Sequence, residues 1–425
     1  MRLSTNRYIS SFLLVSLNID AILQETTARC RRQKLSAITD GLGLGSAYGE
    51  TLERIKRQGE ARSRLGIAAL MWISHSERPL KVAELCHALA VKIGSPDLHA
   101  DSVPSIGTLL TCCHGLIAID KEASMVRLVH FTLQEYLRAH SQIFGTVHST
   151  MAETCLSCLN SQQVKAISSS PARDIQSTPF LEYSSTYWGI HARRDLSDCA
   201  KLLALQLFED YNNHVSTKIL WEAQKGYSYA INSDKPHLFS GLHCAALFGI
   251  VEIVTILIEV EGCDINQGDH EDNAPLTWAA CNGHERVVEI LLRRGDVSPD
   301  KPGEGGKTPL WLAALNGHVE VVKILLAQDE VNPEKPDNDG RTPVLPAAAN
   351  GHGDVVKMLL ERSEVNPAKS GNIGETPLWL AALNGHRGVV KMLLERGEVN
   401  PDKPAQDGQT PLWNAACNGH EVFKM

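Results

Sequence analysis

Gly306-Lys307-Thr308 has the ending of a phosphate-binding loop, the backbone cradle that holds nucleotide phosphates. Such a loop also needs a glycine five residues before Gly306, so that successive backbone N–H groups can surround the phosphates. Lys301 occupies that position. The segment therefore fails as a phosphate loop, and the sequence predicts no nucleotide cofactor.

Hydrolytic and metal chemistry would need other patterns. A lipase-like serine nucleophile requires Gly-x-Ser-x-Gly, which the sequence does not contain. Cys155 and Cys158 form one Cys-x-x-Cys pair, whereas a structural zinc site needs four ligands. The Gly-His pairs that begin at Gly283 recur once per repeat, which puts their histidines roughly 10 Å apart in stacked helices. We therefore predict no catalytic residue, no metal site and no enzyme activity.

The Gly-Lys-Thr segment belongs instead to an internal repeat with a period of 34 residues. Two sets of residues mark its copies: a Pro with Thr or Ala before it, and a Gly-His pair. The Thr-Pro or Ala-Pro pairs begin at Ala274, Thr308, Thr342, Thr376 and Thr410. The Gly-His pairs begin at Gly283, Gly317, Gly351, Gly385 and Gly419. A degenerate earlier copy starts at Ser240 and retains His243. The region thus holds about six copies, of which the last is incomplete.

Each copy has the pattern of two short helices. In the copy that begins at Thr308, this residue suits a helix N-cap, and Pro309 suits the first helical position, where no N–H is needed. Gly317 is expected to end the helix with a left-handed backbone. Val321–Leu326 then carries the apolar stripe of a second helix. Asp339-Gly340 predicts the turn before the next copy.

The run Thr-Pro-Leu-x-x-Ala-Ala-x-x-Gly-His-x-x-Val-Val-x-x-Leu-Leu resembles the ankyrin-repeat family over residues 240–425. The family's usual His after Thr-Pro-Leu is present as His243, but Trp311, Trp379 and Trp413 replace it in later copies. Two roles remain open for these tryptophans: packing between repeats, or an aromatic ladder that binds a partner.

The fourth copy departs further from the family pattern. Leu345 occupies the position of the family's His, and Pro346 follows in the first turn of the helix. Because proline lacks the N–H group, Pro346 removes one early helical hydrogen bond. We expect this copy to be the least stable.

Residues 50–145 follow a different order of predicted elements. Three helices come first, the second of which is expected to open at Arg78-Pro79-Leu80. Leu116–Ile119 and Met125–Val129 predict the strands of a hairpin. Thr132–Glu135 has the spacing of a capping box that starts a further helix. This is the order of a winged helix.

The segment resembles the winged helix that follows the NACHT NTPase in large fungal ankyrin proteins, often labelled with the name of GPI inositol-deacylase. The likeness is carried by Leu70–Ile73, Glu77–Leu80, Glu84–Leu89 and Val129–Leu137, while Phe12–Leu23 resembles the last part of the NTPase module itself. The resemblance implies a signalling protein in which the NTPase drives assembly and the repeats either recognise a trigger or hold the protein inactive. Most of that NTPase module is missing from this sequence.

Two functions of a winged helix can be weighed from its residues. Its third helix, over residues 101–113, has no Arg, Lys, Asn or Gln, which argues against reading DNA bases. The resemblance implies that a His at the position of His130 senses a bound nucleotide. Because that role needs an NTPase core, we favour a structural role for His130.

The composition of the sequence excludes some classes of function and some cellular compartments. The formal net charge of −8 disfavours a general nucleic-acid binder. The 11 cysteines are scattered rather than arranged as a disulfide framework, which favours a reducing compartment, the cytoplasm or the nucleus. The apolar run Ile9–Leu17 contains serines and lacks a signal-peptide cleavage site. No stretch is long and apolar enough to predict a membrane span.

We therefore predict a mainly α fold in which a small winged helix and a helical connector precede an ankyrin α-solenoid. The expected boundaries are 1–49 for an NTPase remnant or lead-in, 50–145 for the winged helix, 146–235 for the connector and 236–425 for the repeats.

The predicted function is recognition of another protein, whose identity the sequence does not give. The alternative is a fragment of a NACHT-type switch NTPase whose phosphate loop lies outside the chain. The resemblance to ankyrin proteins places partner contacts at the turn tips, which vary between repeats. These tips include His270, Glu271, Glu304, Lys307, Asn338, Asp339, Arg341, Asn372, Glu375, Gln406 and Gln409. The recurring Asn before each Gly-His pair is interpreted as a turn residue.

Overall fold

A computed structural model describes residues 26–33, 44–97, 99–167, 178–225 and 238–420. The segment likened to an NTPase, Phe12–Leu23, lies outside them. The chain divides into two units, Met1–Leu207 with His214–Ser228, and Phe208–Asn213 with Tyr229–Met425. The described residues are mainly helical, with one two-stranded sheet, which confirms the predicted fold class.

The first unit has the predicted winged-helix order, with a further helix directly before it and the connector helices after it. Its elements are α1 (Leu44–Lys56), α2 (Glu60–His75), α3 (Val82–Ala90), α4 (Ile106–Cys112), β1 (Ile117–Asp120), β2 (Met125–Leu128), α5 (Phe131–Ala139), α6 (Val147–Leu159), α7 (Gln162–Lys165), α8 (Leu181–Arg194), α9 (Asp198–Phe208) and α10 (Val215–Lys225). Buried leucines from α2 to α5 form the core of the winged helix.

The hairpin extends to the segment before α3. β1 pairs with β2 in antiparallel register, with Ile117 opposite Leu128. The Val126 N–H donates to the Leu80 carbonyl (3.0 Å), and Lys81 bridges to Met125. The prediction that the second helix opens at Arg78-Pro79-Leu80 is therefore wrong. This segment is extended alongside β2, and α3 begins at Val82.

A buried ion pair fixes that extended segment. The carboxylate of Glu84 is almost fully buried and accepts from both terminal nitrogens of Arg78 at 2.7 and 2.8 Å. It also accepts from the Lys81 N–H at 2.8 Å. Because a buried charge is costly without partners, these three hydrogen bonds hold the chain entering α3 in one conformation.

The start of α5 also differs from the prediction. The helix begins at Phe131, and His130 is its N-cap through Nδ1, which accepts from the Thr132 N–H at 3.3 Å. The expected capping box at Thr132–Glu135 therefore lies inside the helix and is wrong. The Thr132 hydroxyl instead bonds Nδ1 of His130 and the hydroxyl of Tyr48, both at 2.8 Å. His130 thus has the structural role favoured above.

The second unit is a stack of helix pairs. Its helices are α11 (Gly241–Phe248), α12 (Val251–Ile258), α13 (Pro275–Cys281), α14 (Glu285–Leu292), α15 (Pro309–Asn316), α16 (Val319–Leu326), α17 (Val344–Ala349), α18 (Gly353–Leu360), α19 (Pro377–Leu383), α20 (Arg387–Leu394) and α21 (Pro411–Cys417). The odd-numbered members are the inner helices, and the even-numbered members follow them as the second helices of each repeat.

The inner helices start and end as predicted. The hydroxyls of Thr308, Thr376 and Thr410 accept from the backbone N–H three residues on at 3.1, 3.1 and 3.2 Å. Gly317 ends α15 with φ of +74°. Alanines such as Ala313 and Ala314 are fully buried, so neighbouring inner helices approach closely.

The fourth copy lacks this cap. In α15 the Leu312 N–H donates to the Thr308 carbonyl at 3.1 Å, and in α19 the Leu380 N–H donates to the Thr376 carbonyl at 3.0 Å. Pro346 occupies the same position of the fourth copy and cannot make this bond, because it has no N–H. The Leu345 N–H turns to the Thr342 carbonyl instead, at 2.9 Å. The Thr342 hydroxyl is consequently buried without a partner. Helix α17 is only six residues long.

Replacing Pro346 with alanine should therefore stabilise the repeats. The new N–H can bond the Thr342 carbonyl, which frees the Leu345 N–H for the Thr342 hydroxyl. Recovering both bonds is expected to raise the free energy of unfolding by about 1–2 kcal/mol, measured by urea denaturation. Pro343→Ala is the control, because Pro343 precedes the helix and replaces no bonded N–H. An equal effect of the two variants would refute the explanation.

Candidate partner-binding face of the repeats

The turn tips form a continuous ladder of backbone hydrogen bonds. The N–H groups of Asn338, Asn372 and Gln406 donate to carbonyls of the preceding tip at 2.8, 2.7 and 2.9 Å. The side-chain amides of Asn372 and Gln406 also donate to preceding-tip carbonyls, at 3.1 and 2.7 Å. These predicted contact residues are exposed, but part of their bonding capacity is used to join tips.

Glu375 is not an exposed tip residue, contrary to the prediction. Its side chain is only 1% exposed and accepts from the Arg341 guanidinium at 2.7 Å and from the Ile373 N–H at 3.2 Å. Arg341 also lies 3.7 Å from Asp339. A tip position that varies between repeats is expected to be exposed. No neighbouring residue in the sequence indicates that the Glu375 carboxylate is buried against Arg341, 34 residues earlier.

The remaining predicted tip residues differ in how far they are exposed. Glu304 and Asp339 are exposed, whereas Lys307 and Gln409 are half-exposed. The Lys307 ammonium lies 5.3 Å from the centre of the Trp311 ring, a cation–π distance. His270 and Glu271 are half-buried in a turn whose N–H groups bond to the Asp269 carboxylate.

The tryptophans join neighbouring repeats. The indole N–H groups of Trp311 and Trp379 donate to the carbonyls of Arg341 and Gln409 in the next tip, at 3.0 and 2.9 Å. His243 makes the equivalent bond to the Asn273 carbonyl at 3.1 Å. The packing role is confirmed for Trp311 and Trp379, since each replaces the family's His as donor. Trp413 is 49% exposed.

The Asn and Gly-His residues also join repeats. Asn350 and His352 donate to the same carbonyl, that of Leu315 in the preceding inner helix, at 2.9 and 3.0 Å. The bonds recur from Asn316 and His318 to Cys281, from Asn384 and His386 to Ala349, and from Asn418 and His420 to Leu383. Both lone pairs of each carbonyl are thereby satisfied, and the structural interpretation of the Asn set is confirmed.

An apolar stripe on the inner helices was missed by the sequence analysis. Leu312, Leu315, Leu380 and Leu383 are half-exposed, and Ala349 lies between the two leucine pairs in the stack. We call these five residues the inner groove. Their signal in the sequence is a leucine directly before and another directly after the alanine pairs that begin at Ala313 and Ala381, so that apolar residues occur on both sides of these helices.

The first unit has a separate cluster of titratable groups. The Glu77 N–H donates to the Tyr183 hydroxyl at 3.1 Å, which bonds Nε2 of His191 at 2.9 Å. Nδ1 of His191 lies 3.0 Å from Nδ1 of His148. One arrangement satisfies both contacts of the neutral ring: the Tyr183 O–H donates to Nε2 of His191, and the Nδ1–H of His191 donates to His148. His148 borders a pocket of about 700 Å³.

Burial governs the titration of this cluster. Desolvation, followed by the charges of His148 and Arg194, lowers the pKa of His191 to about 3. Burial also lowers the pKa of His148, with a further contribution from Arg194. Both imidazoles are therefore neutral at pH 7, as the chain of hydrogen bonds requires.

The cysteine pair of α6 lies within the core. Cys155 and Cys158 are buried, and desolvation raises the pKa of the Cys158 thiol to about 12. Within the described ranges, no group of three or more His, Cys, Asp or Glu side chains could hold a metal ion. Across the same ranges, no helix combines the length and apolarity needed to cross a bilayer.

Comparisons with known proteins agree with this architecture. A family model of ankyrin repeats matches residues 190–301, 296–370 and 363–425, which together cover more than half of the chain. The chain therefore belongs to the ankyrin-repeat family, whose stacked repeats form a protein–protein interaction module. A second model, the winged helix domain of GPI inositol-deacylase, matches residues 53–146.

Individual relatives cover less of the chain. It is 35% identical over 72 residues to human transient receptor potential cation channel subfamily A member 1, a match that spans 16% of this chain and 6% of that protein. A crystal structure of an ankyrin repeat domain from Acinetobacter baumannii AYE aligns with 24% identity and a TM-score of 0.39, over 43% of this chain and 92% of that domain.

Proposed function

We propose that this protein recognises another protein through the inner groove of its ankyrin repeats, as the binding module of a signalling or scaffold protein in the cytoplasm or nucleus. The observation that carries the proposal is the row of half-exposed leucines on the inner helices. The polar groups around them already bond between repeats. The leucine side chains therefore remain as surface that a partner can bury.

The tips contribute to the proposed contact through their outward side chains. Glu304 and Lys307 lie at one tip beside the groove and Asp339 lies at the next, so the rim carries both acidic and basic side chains. Charged residues at the rim of an interface select partners and orient them more than they add affinity. The proposed site thus combines an apolar floor with a polar rim.

Site-specific photo-cross-linking in cells that express the full chain tests this location. A photoreactive amino acid at Leu315 or Leu383 should give a discrete cross-linked protein. The same group at Lys323 or Lys391, which are exposed on second helices, should not. If the cross-linked protein is captured equally from the second helices, the inner groove is not the binding face.

A second candidate function is a fragment of a fungal NACHT-type switch NTPase whose phosphate loop lies outside the given sequence. The match of residues 53–146 to the winged helix domain favours it. In that setting the repeats would still bind a protein, and nucleotide would control when they do so. Transcript sequence upstream of Met1 tests this candidate: a Gly-x-x-x-x-Gly-Lys-Ser/Thr segment in frame supports it, and a stop codon opposes it.

A further inference from the structure

The negative charge of this protein is concentrated in its repeats. Residues 238–420 contain 15 Lys and Arg against 26 Asp and Glu, a formal net charge of −11, whereas the whole chain carries −8. The rest of the chain is therefore slightly basic. A field of this sign attracts basic partners and repels nucleic acid and anionic membranes.

Exposed carboxylates follow the tip side of the inner groove. Asp272, Glu304, Asp339 and Asp407 are exposed, one at each of four tips. Asp339 and Asp407 occupy the same position of the repeat, and the tip between them carries Ile373 there, with 54% of its surface exposed. Successive tips lie one repeat apart, roughly 10 Å, so exposed carboxylates recur along the tips, although not at one fixed position of the repeat.

The basic residues on this side are already engaged. Arg341 bonds the buried carboxylate of Glu375 and lies near Asp339, and the Lys307 ammonium lies over the Trp311 ring. At the starts of the second helices, Glu320 and Asp354 are exposed in the two central repeats, with Arg286 and Arg387 in the repeats on either side, and Glu320 pairs with Lys323 at 3.3 Å. The central part of the groove is therefore apolar in the middle, and carboxylates outnumber basic residues along its tips.

We propose that the partner segment that occupies the inner groove is a basic amphipathic helix, with apolar residues on one face and Lys or Arg on the other. This inference rests on the proposed function, because it names the chemistry of the groove's occupant. Leucine-rich surface accepts the apolar face, and the tip carboxylates pair with the basic residues beside it. Helix-in-groove docking suits the geometry, because five helical turns span about 27 Å, roughly three stacked repeats.

Titration of the full chain with two labelled synthetic peptides tests the inference. Both have about 18 residues with leucines at helical spacing, and their polar faces carry only Lys or only Glu. The Lys peptide should bind, more weakly at high salt, and the Glu peptide should not. Glu304→Lys combined with Asp339→Lys should weaken binding of the Lys peptide about tenfold or more.

The matched control is Glu361→Lys combined with Glu395→Lys. These glutamates are exposed at the ends of second helices, so this variant has the same net charge but an intact groove rim. It should change the affinity for the Lys peptide less than about threefold, since distant exposed charges are screened. Equal circular dichroism spectra and thermal midpoints for all variants exclude misfolding as the cause.

Three results would overturn the inference: no binding of the Lys peptide, equal binding of the Glu peptide, or equal losses in both double variants. The last result would mean general attraction to an acidic protein. Each of them leaves the proposed function intact if photo-cross-linking still places a partner in the groove, because the cross-link reports location whatever the partner's charge. A partner captured only from second helices would instead refute both proposals.

Discussion

Acidification from pH 7 to pH 4 is expected to destabilise the packing of α6 on α8 by about 3 kcal/mol, because His191 is buried in its neutral form. The unfolded chain binds a proton at His191 below the ordinary pKa of 6.5, whereas the folded chain resists protonation until about pH 3. The contribution of His191 to the free energy of unfolding is therefore fully present above pH 6.5, and it falls as the pH drops towards 3. Protonated His191 could not accept from Tyr183, and its charge would add to that of Arg194.

Amide hydrogen exchange of the full chain resolves this effect by region. Peptides from α6 and α8 should lose protection between pH 7 and pH 4 after correction for the intrinsic exchange rate. His191→Gln keeps a donor and an acceptor without titrating, so it should reduce this loss. His99→Gln, at an exposed position, should leave it unchanged. An unaltered pH dependence in His191→Gln would show that other groups cause the loss.

Gly317→Ala is expected to lower the free energy of unfolding of the central repeats by about 3 kcal/mol, so that they unfold or separate at a much lower urea concentration than in the unsubstituted chain. Gly317 has φ of +74°, and a Cβ atom there would lie 2.5 Å from Nδ1 of His352. Alanine would be strained in this backbone conformation and would displace the His352 ring. The bond from His352 to the Leu315 carbonyl, one of the links between adjacent repeats, would then be lost.

Gly388→Ala is the matched control for this variant. Gly388 lies in the first turn of α20 without a positive φ, and a Cβ atom there would meet no neighbouring residue within 4 Å. Alanine should therefore be neutral or stabilise the helix by up to about 1 kcal/mol. Urea denaturation followed by circular dichroism compares the two variants. A single transition shared by both would argue against a special role for Gly317.

The repeats could be predicted closely because their signals are local and recur. Thr308-Pro309 marks a helix start and Gly317 a helix end through backbone rules that act within a few residues. The same rules identified Pro346 as the residue at which the first helical turn of the fourth copy departs from the other copies. The period also identified the degenerate first copy, whose own residues match the pattern poorly.

Features that depend on distant partners could not be predicted. The extended course of Arg78-Pro79-Leu80 follows from its pairing with β2 and from the buried carboxylate of Glu84, neither of which is visible as a pattern. Glu375 was placed among exposed contacts, although its partner Arg341 lies one repeat earlier.

Only part of the candidate site could be predicted, because the rest also depends on contacts between residues that are distant in the sequence. Tip positions were found from the turn pattern, but which of them face outward depends on hydrogen bonds between repeats. The leucines of the groove resembled core residues, because a single sequence does not show which side of an apolar helix a neighbour covers. The partner-binding roles of all these residues remain predictions.

The residue whose carbonyl joins two inner helices has a backbone and a side chain with different roles. Leu315 supplies its backbone oxygen to Asn350 and His352, while its side chain faces the groove. At the corresponding positions the residue is Cys281, Ala349 or Leu383, and the same pair of bonds is made. Every residue type supplies the same backbone carbonyl, so a substitution at this position changes the surface of the groove and leaves the bonds that join the repeats in place. The surface of the array and the stacking of its repeats can therefore vary independently at these positions.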